Sequence, residues 1–525
     1  MASHSLLFLI SCILLLITQT ISHSNINKFL ECLPNHSKSL IPISQAIYHR
    51  NDASFSYVLQ SYIRNERFNK STTPKPLAII AALDESHVQA TIICTKAHGL
   101  NLRIRSGGHD YEGLSYVSPE SFILLDMFNL RDIKIDVTSE TAWAEAGATL
   151  GELYYNIANL SNKLAFPAGV SPTLGLGGHI SGGGYGNLMR KFGLSSDNVI
   201  DAKVVDANGK ILDRESMGKD LFWAIQGGGA SSFCVVLAWK LKLVRVPELV
   251  TVFNVRRTLE QGVTDILYQW QMVVPKIDPN LFIRAMPHVI NGSRESNNKT
   301  IEVTFIALYL GRANQLVNLV SKSFPLLGLQ FQDCIEMPWI KTILHWYGFP
   351  KDASIRVLLS RTPMTQYYGK FRSDYVQQPI PKEGLEAIWK KMITLEVMFM
   401  QFNPYGGKMS EILETKTPFP HRARNLFKIQ YNAMWYEDGE EIARSYLNAS
   451  KELYDTLAPY VSKNPREHFL NYRDIEIGTN KNGNTSFGFQ YFKWNLPRLL
   501  VTKAKVDPDN FFRFEQSIPV VSRLV

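Results

Sequence analysis

The sequence has little of what marks many functional classes. Beyond one apolar run near its start, no hydrophobic stretch of comparable length follows. There is no run of five or more basic residues, and the +9 formal charge is spread along the chain, so nucleic acid is not read as a partner. No HExxH, no Ser framed as GxSxG and no Gly-Lys-Ser/Thr phosphate loop occurs, which sets aside zinc-protease, serine-hydrolase and P-loop chemistry. No cysteine or histidine spacing suggests a metal site, and neither an internal repeat nor a low-complexity tract is visible. With 45% hydrophobic and 20% charged residues over 525 positions, the chain reads as a globular protein of more than one lobe.

The apolar run, LLFLISCILLLIT from Leu6 to Thr18, is short for a membrane span and carries no flanking Lys or Arg. It turns polar at Gln19 and Ser22, and is read as a signal segment over 1–23, cleaved to leave a mature protein that does not enter the membrane. Seven Asn-x-Ser/Thr sequons (Asn35, Asn69, Asn159, Asn291, Asn298, Asn448 and Asn484) fit passage through a glycosylating compartment. Removal of Cys12 leaves four cysteines and three formal pairings. The favoured one is Cys32 with Cys94, which would staple the mature N-terminus to the first lobe. Cys234 and Cys334 are then expected as buried free thiols.

From Pro76, apolar PLAIIAAL, amphipathic ESHVQATIICTKAHG and short NLRIRSGG predict strand, helix, strand. A second such unit follows over 121–153, then a glycine-rich stretch, the hairpin VIDAKVVDANGKIL with its Asn208-Gly209 turn, and a helix, loop and strand through DLFWAIQGGGASSFCVVLAWKLKLV. Past Pro247 the pattern changes. Alternating strands (TIEVTFIALYLG, LFKIQYNAMWY) mix with the helical EEIARSYLNASKELYDTL, predicting an antiparallel sheet covered by helices. The fold class is α+β. The organisation predicted is 24–247 for one lobe, 248–465 for a substrate lobe, and 466–525 returning to the first.

Two segments carry chemistry. In RIRSGGHDYEGLSY, Ser106, Gly107 and Gly108 let backbone N–H groups approach a diphosphate beside His109. GLGGHISGGGYG holds seven glycines among twelve residues, outside the first βα turn that a Rossmann fingerprint requires. On the strand LFKIQY, Lys428 and Gln430 alternate and so face the same way.

The successive segments RSGGHDYEGLSY, FPAGVSPTLGLGGHISGGGYG, GKDLFWAIQGGGASSF, PYGGKMSEI, LNYRD and DPDNFFRFEQSIP together resemble the berberine bridge enzyme-like FAD-linked oxidases of plants, in order along nearly the whole mature chain. The resemblance implies a two-subdomain FAD-binding domain of the vanillyl-alcohol oxidase type plus an α+β substrate domain. It implies covalent FAD through His109, with Arg105, Ser106, Gly107, Gly108, Ser171, Thr173, Leu174, Gly178, His179, Ser181 and Val236 around the cofactor. The family's second flavin link comes from a cysteine in AGxCPT. Here Ser171 stands at that position, so a single link is expected, an alcohol of ordinary pKa being a poor nucleophile. Leu174 falls at the residue thought to gate oxygen, where a bulky side chain accompanies poor oxygen use.

For the chemistry, the resemblance implies Tyr472 of NYRD as general base, with Lys428 favouring its phenolate, and Gln430, Tyr185 and Tyr111 around the substrate, as in the branch that oxidises monolignol-type alcohols. The expected activity is hydride transfer from a small phenolic, alkaloid-like or other specialised metabolite, with oxygen or another electron acceptor closing the cycle. A flavin-containing cyclase of Diels-Alder type and a carbohydrate oxidase are the alternatives. Secretion to the cell exterior or wall is expected, the vacuole being a second destination. Two departures from the family pattern, Cys234 in place of a glycine and FGFQYFKWN in place of WGxKYF, leave room for a repurposed site.

Overall fold

The computed structural model describes residues 25–521, apart from 293–298, 363 and 397. The signal segment and the Asn298 sequon lie outside the described residues. Among the described residues, no helix is long and apolar enough to cross a membrane.

The first α/β unit forms as the periodicity predicts. Strand Ala78–Ala81 is followed by helix Glu85–Ala97 and strand Asn101–Arg105. The Asp84 side chain caps the helix by accepting from the Ser86 N–H. Strand Phe122–Asp126 lies between the two strands and parallel to both, with Ile47–His49 antiparallel at the edge. Every residue of Ala78–Ala81 and Phe122–Asp126 is buried and all but Asp126 are apolar, as expected of a parallel sheet covered on both faces. Cys32 and Cys94 are bonded, Cα atoms 5.8 Å apart, tying the helix over 25–36 to helix Glu85–Ala97.

A five-stranded sheet follows in the order Ile133–Asp136, Thr141–Glu145, Val235–Lys242, Val199–Val205, Ile211–Leu212, antiparallel throughout. Gly209 takes the positive φ of +76° that the hairpin turn requires. The last and largest sheet has seven antiparallel strands, with Leu281–Asn291, Met398–Pro404 and Phe427–Trp435 adjacent near its centre and Tyr368–Val376 at one edge. Helices Lys382–Leu395 and Glu440–Thr456 bury Trp389, Met392 and Leu453 against it.

The C-terminal segment returns to the first sheets. Asp507 of DPDNFF accepts the N–H groups of Phe511 and Phe512 and the buried Lys503 ammonium, so this motif is a structural turn that seats both rings in the first core. A separate aromatic cluster, including Tyr185, Phe282, Tyr375, Tyr405, Phe419 and Phe469, fills the seam between the seven-stranded sheet and the glycine-rich loops. Cys234 is buried and free as expected. Cys334 is free but only half-buried, because it begins the short edge strand Cys334–Met337. The asparagines of the Asn35, Asn159, Asn291, Asn448 and Asn484 sequons are exposed, whereas Asn69 is half-buried and donates to Glu66.

Candidate active site

Two glycine loops meet backbone to backbone. A Cβ on Gly107 would lie 2.3 Å from the Gly175 nitrogen, and one on Gly175 would lie 2.1 Å from Ser106 Oγ. Gly108, at φ +70°, passes so close to Tyr62 that a Cβ would stand 1.7 Å from its carbonyl oxygen. No other residue fits these positions without moving the chain. Gly178 differs, since a Cβ there would meet no atom within 4 Å, and it borders open space. That space is a cleft of about 630 Å³ running from the glycine loops to the aromatic seam. Its size suits a large cofactor with a small substrate, and its glycine-lined wall fits an extended dinucleotide approached by backbone N–H groups.

His109 reaches the cleft on the loop after strand Asn101–Arg105. Its Nε2 lies 2.9 Å from Thr173 Oγ1. Burial, with the Arg64 guanidinium nearby, pushes its pKa down to about 3, so the ring is neutral and keeps a lone pair. Arg64 in turn donates through Nε to the Gly107 carbonyl at 3.2 Å. His179 is also held neutral, its pKa lowered to about 3 by burial and then by Lys428, and its Nε2 accepts the Gly169 N–H. Ser106, Ser171, Thr173, Leu174, Ser181 and Val236 line the same cleft.

Arg105 does not. Its guanidinium is fully buried against Asp126 and the Val58 and Leu59 carbonyls, where it fastens the helix Phe55–Gln60 to the first sheet. Cys234, which stands in place of the glycine of the family pattern, lines the cleft wall. Burial raises its pKa, so it stays a thiol.

At the far end the tyrosines converge. Tyr185 and Tyr472 share a short hydroxyl to hydroxyl hydrogen bond. Tyr111 stacks on Tyr472 at 5.5 Å and on Phe371 at 4.2 Å, and its hydroxyl accepts from Gln430 Nε2 at 2.8 Å. Lys428 and Gln430 do point to one side of their strand. Lys428, however, makes no hydrogen bond to the tyrosine oxygens. Its ammonium nitrogen lies 3.4, 3.7 and 4.4 Å from the ring centroids of Tyr185, Phe469 and Tyr472 and has no hydrogen-bond partner among the described residues. Burial, then Arg284, lowers its pKa well below that of an ordinary lysine.

The expected electrostatic relation is therefore corrected. Burial, followed by Tyr185 and Tyr111, raises the Tyr472 pKa well above 10, and Arg284 is the cation that opposes this rise. Lys428 acts on the ring faces as a cation–π partner instead.

Sequence reasoning missed Arg284, Gln401, Tyr367 and Tyr347, all of which line the cleft. Arg284 and Gln401 come from strands paired far apart in sequence, Ala285 opposite Phe402 and Gln401 opposite Gln430. Only the alternation of their strands hinted that they share a face.

A FAD-binding domain family model matches residues 76–214, and one for berberine and berberine-like proteins matches 468–519. With the cleft, these define the protein as a flavoprotein oxidoreductase. Berberine bridge enzyme-like 9 of Arabidopsis thaliana is 53% identical over 507 residues, covering 94% of each chain, and berberine bridge enzyme-like 14 of the same plant is 54% identical over 506 residues, covering 95% of this chain and 94% of its own. The chain belongs to the berberine bridge enzyme-like family of FAD-linked oxidoreductases. Among solved structures, the wild-type form of the grass pollen allergen Phl p 4, a glucose dehydrogenase, superposes with a TM-score of 0.89 at 43% identity, covering 94% of this chain and all of its own. An isoleucine-to-valine variant of that allergen is a glucose oxidase. A berberine bridge enzyme variant that is a reticuline dehydrogenase gives a TM-score of 0.87 at 35% identity, covering 94% of this chain and 99% of its own.

Proposed function

We propose that this protein oxidises a small aromatic alcohol, phenol or amine by hydride transfer to an FAD carried on His109. FAD bound in the cleft would supply the hydride acceptor, and oxygen or another electron acceptor would complete the cycle. In this reading residues 24–247 and 466–525 hold the cofactor, and 248–465 covers the substrate.

The single observation that carries the substrate class is the cluster of Tyr111, Tyr185, Tyr472, Phe371 and Phe469, whose stacked and edge-to-face rings make an aromatic cleft end where the Tyr185 and Tyr472 hydroxyls meet. Tyr472 takes the proton from the substrate hydroxyl or amine. That step needs its phenolate, which Arg284 favours against the burial of the ring, and the Tyr185 hydroxyl donates to the oxygen that bears the charge. Gln430 holds the Tyr111 hydroxyl and so fixes the wall against which a substrate ring would stack.

For the cofactor, His109 supplies a neutral ring and the link is single, since Ser171 lines the cleft where a thiolate would be needed for another. Signal cleavage, secretion and glycosylation at the exposed sequons belong to the same proposal. A sugar is the second reading, favoured by the likeness to a glucose dehydrogenase.

Mixing the purified yellow protein without oxygen with 4-hydroxycinnamyl alcohol, glucose and reticuline in parallel, while following flavin absorbance and product mass, tests these readings. Bleaching by the aromatic alcohol with loss of two mass units from it supports the proposal. Bleaching by glucose alone would replace it with the sugar reading, and products at the summed mass of two substrates without bleaching would replace it with the cyclase reading.

A further inference from the structure

The charges lining the cleft are unevenly placed. Asp110 is the only carboxylate among the described lining residues, and it sits at the glycine end, 3.6 Å from Arg473. At the aromatic end Arg284 is the one charged lining residue among those described, and no acid lines it. Lys428 lies beneath the rings without a hydrogen-bond partner among the described residues. Arg284 projects from strand Leu281–Asn291 into the cleft, only 8% exposed.

The Arg284 guanidinium is poorly matched by the protein. Its Nε donates to Asn403 Oδ1 at 2.7 Å, and the group lies over the rings of Trp346 and Phe282 at 5.1 and 5.9 Å. Among the described residues no carboxylate lies within ion-pair distance of it, and its two terminal nitrogens make no hydrogen bond. Two other buried arginines are well paired, Arg105 by Asp126 and two carbonyls and Arg422 by Asp197 and Thr417. A planar, permanently charged fork buried with its terminal donors free matches a planar anion presented from the cleft.

We infer that Arg284 is an anion subsite and that the preferred ligand is an aromatic compound bearing a carboxylate. The inference rests on the proposed aromatic substrate class and narrows it. The aromatic body packs from the cleft side against the tyrosine cluster, and the carboxylate takes both terminal nitrogens of Arg284. Lys428 adds attraction from below the rings. A neutral ligand of the same shape leaves the fork unpaired and forfeits a charge-assisted pair, which is worth a factor on the order of 10 to 100 in affinity.

The test measures binding of 4-hydroxycinnamate, its primary amide and 4-hydroxycinnamyl alcohol to the holoprotein by calorimetry at pH 7, without reference to turnover. The acid should bind about 10- to 100-fold more tightly than the amide. Arg284→Met should abolish that preference, and Arg284→Lys should keep part of it because it retains the charge but loses the fork. Equal affinities for acid and amide in the unmodified protein overturn the inference even if no variant folds, and so does an acid preference that survives Arg284→Met. Tight, Arg284-dependent binding of the acid without flavin bleaching by the aromatic alcohol would keep the anion subsite and sink the oxidation proposal instead.

Discussion

Strand Tyr368–Val376 places Lys370, Arg372 and Asp374 on one face, and all three are buried. The Lys370 ammonium stands 2.5 Å from Glu112, 2.7 Å from Asp474 and 3.1 Å from Glu476. Glu112 follows Tyr111 in the chain and Asp474 lies two residues after Tyr472, so one cation fastens both tyrosine-bearing segments to the same strand. Lys370→Met keeps most of the volume and deletes the charge. Glu112 is then left with Arg67 at 3.9 Å, while Asp474 retains Arg372 at 2.6 Å.

Removing one partner of a buried ion pair typically costs about 3–5 kcal/mol. Three carboxylates lose a partner here, but Asp474 and Glu476 both keep Arg372, so about 3–5 kcal/mol is the expected loss rather than a multiple of it. Urea denaturation followed by tryptophan fluorescence, repeated across pH, measures it. Lys370 has a raised pKa, because Glu112 and Asp474 outweigh the effect of burial, so its contribution is complete below its unfolded value of 10.5 and is lost as pH rises through the higher folded value. Asp474 is held low, since Lys370 and Arg372 outweigh burial, and its contribution is present above 3.8 and fades as pH falls through the folded value. Glu112 moves the other way, raised because burial outweighs the single close lysine, so it begins to neutralise first on acidification.

The gap between native protein and Lys370→Met should therefore be widest from about pH 5 to 10 and narrow on both sides. Lys370→Arg should recover part of it. A gap under about 1 kcal/mol, as for an exposed pair, or one that does not change with pH, refutes the assignment of Lys370 as the clamp.

His109→Ala should release flavin on acid denaturation, whereas the native protein keeps it on a single peptide containing His109; Ser171→Cys should add a flavin link to a second peptide, and a native flavin peptide spanning Ser171 contradicts the single-link proposal. Leu174→Val should speed reoxidation of the reduced flavin by oxygen, and equal stopped-flow rates reduce Leu174 to packing. Tyr472→Phe should lower the anaerobic reduction rate by about 10²- to 10⁴-fold with FAD retained, and an unchanged rate places proton removal elsewhere. Lys428→Met should raise stability at neutral pH, because burial disfavours the ammonium in the folded protein; this advantage should shrink as pH approaches 10.5, where the unfolded lysine also loses its proton.

The elements of the first lobe were legible because each is local. Helix Glu85–Ala97 declares its start by Asp84 and its face by periodicity, and the Asn208-Gly209 turn sets a hairpin within a few residues. The common face of Lys428 and Gln430 was equally legible, since alternation on a strand depends on nothing outside it. What that face meets was not. Lys428 beside Gln430 reads as a solvated charge or as a cation aimed at a phenol oxygen, and only the packing of Tyr185, Phe469 and Tyr472, drawn from segments more than 280 residues apart, turns it into a dry cation beneath three rings. Arg105 failed for the converse reason. It precedes the glycine loop directly, yet strand alternation turns it away from Ser106 and into Asp126.

Arg284 was invisible because its role is a deficit, the absence of any acid within reach among the described residues, and a deficit has no sequence signature. The alternating charges Lys370, Arg372 and Asp374 ordinarily mark a strand face open to water. They are buried because Glu112, Asp474, Glu476 and Arg466 arrive from three other segments to neutralise them. A charge that seems misplaced on a strand thus identifies where distant segments must converge, and here they converge beside the tyrosines on which the proposed chemistry depends.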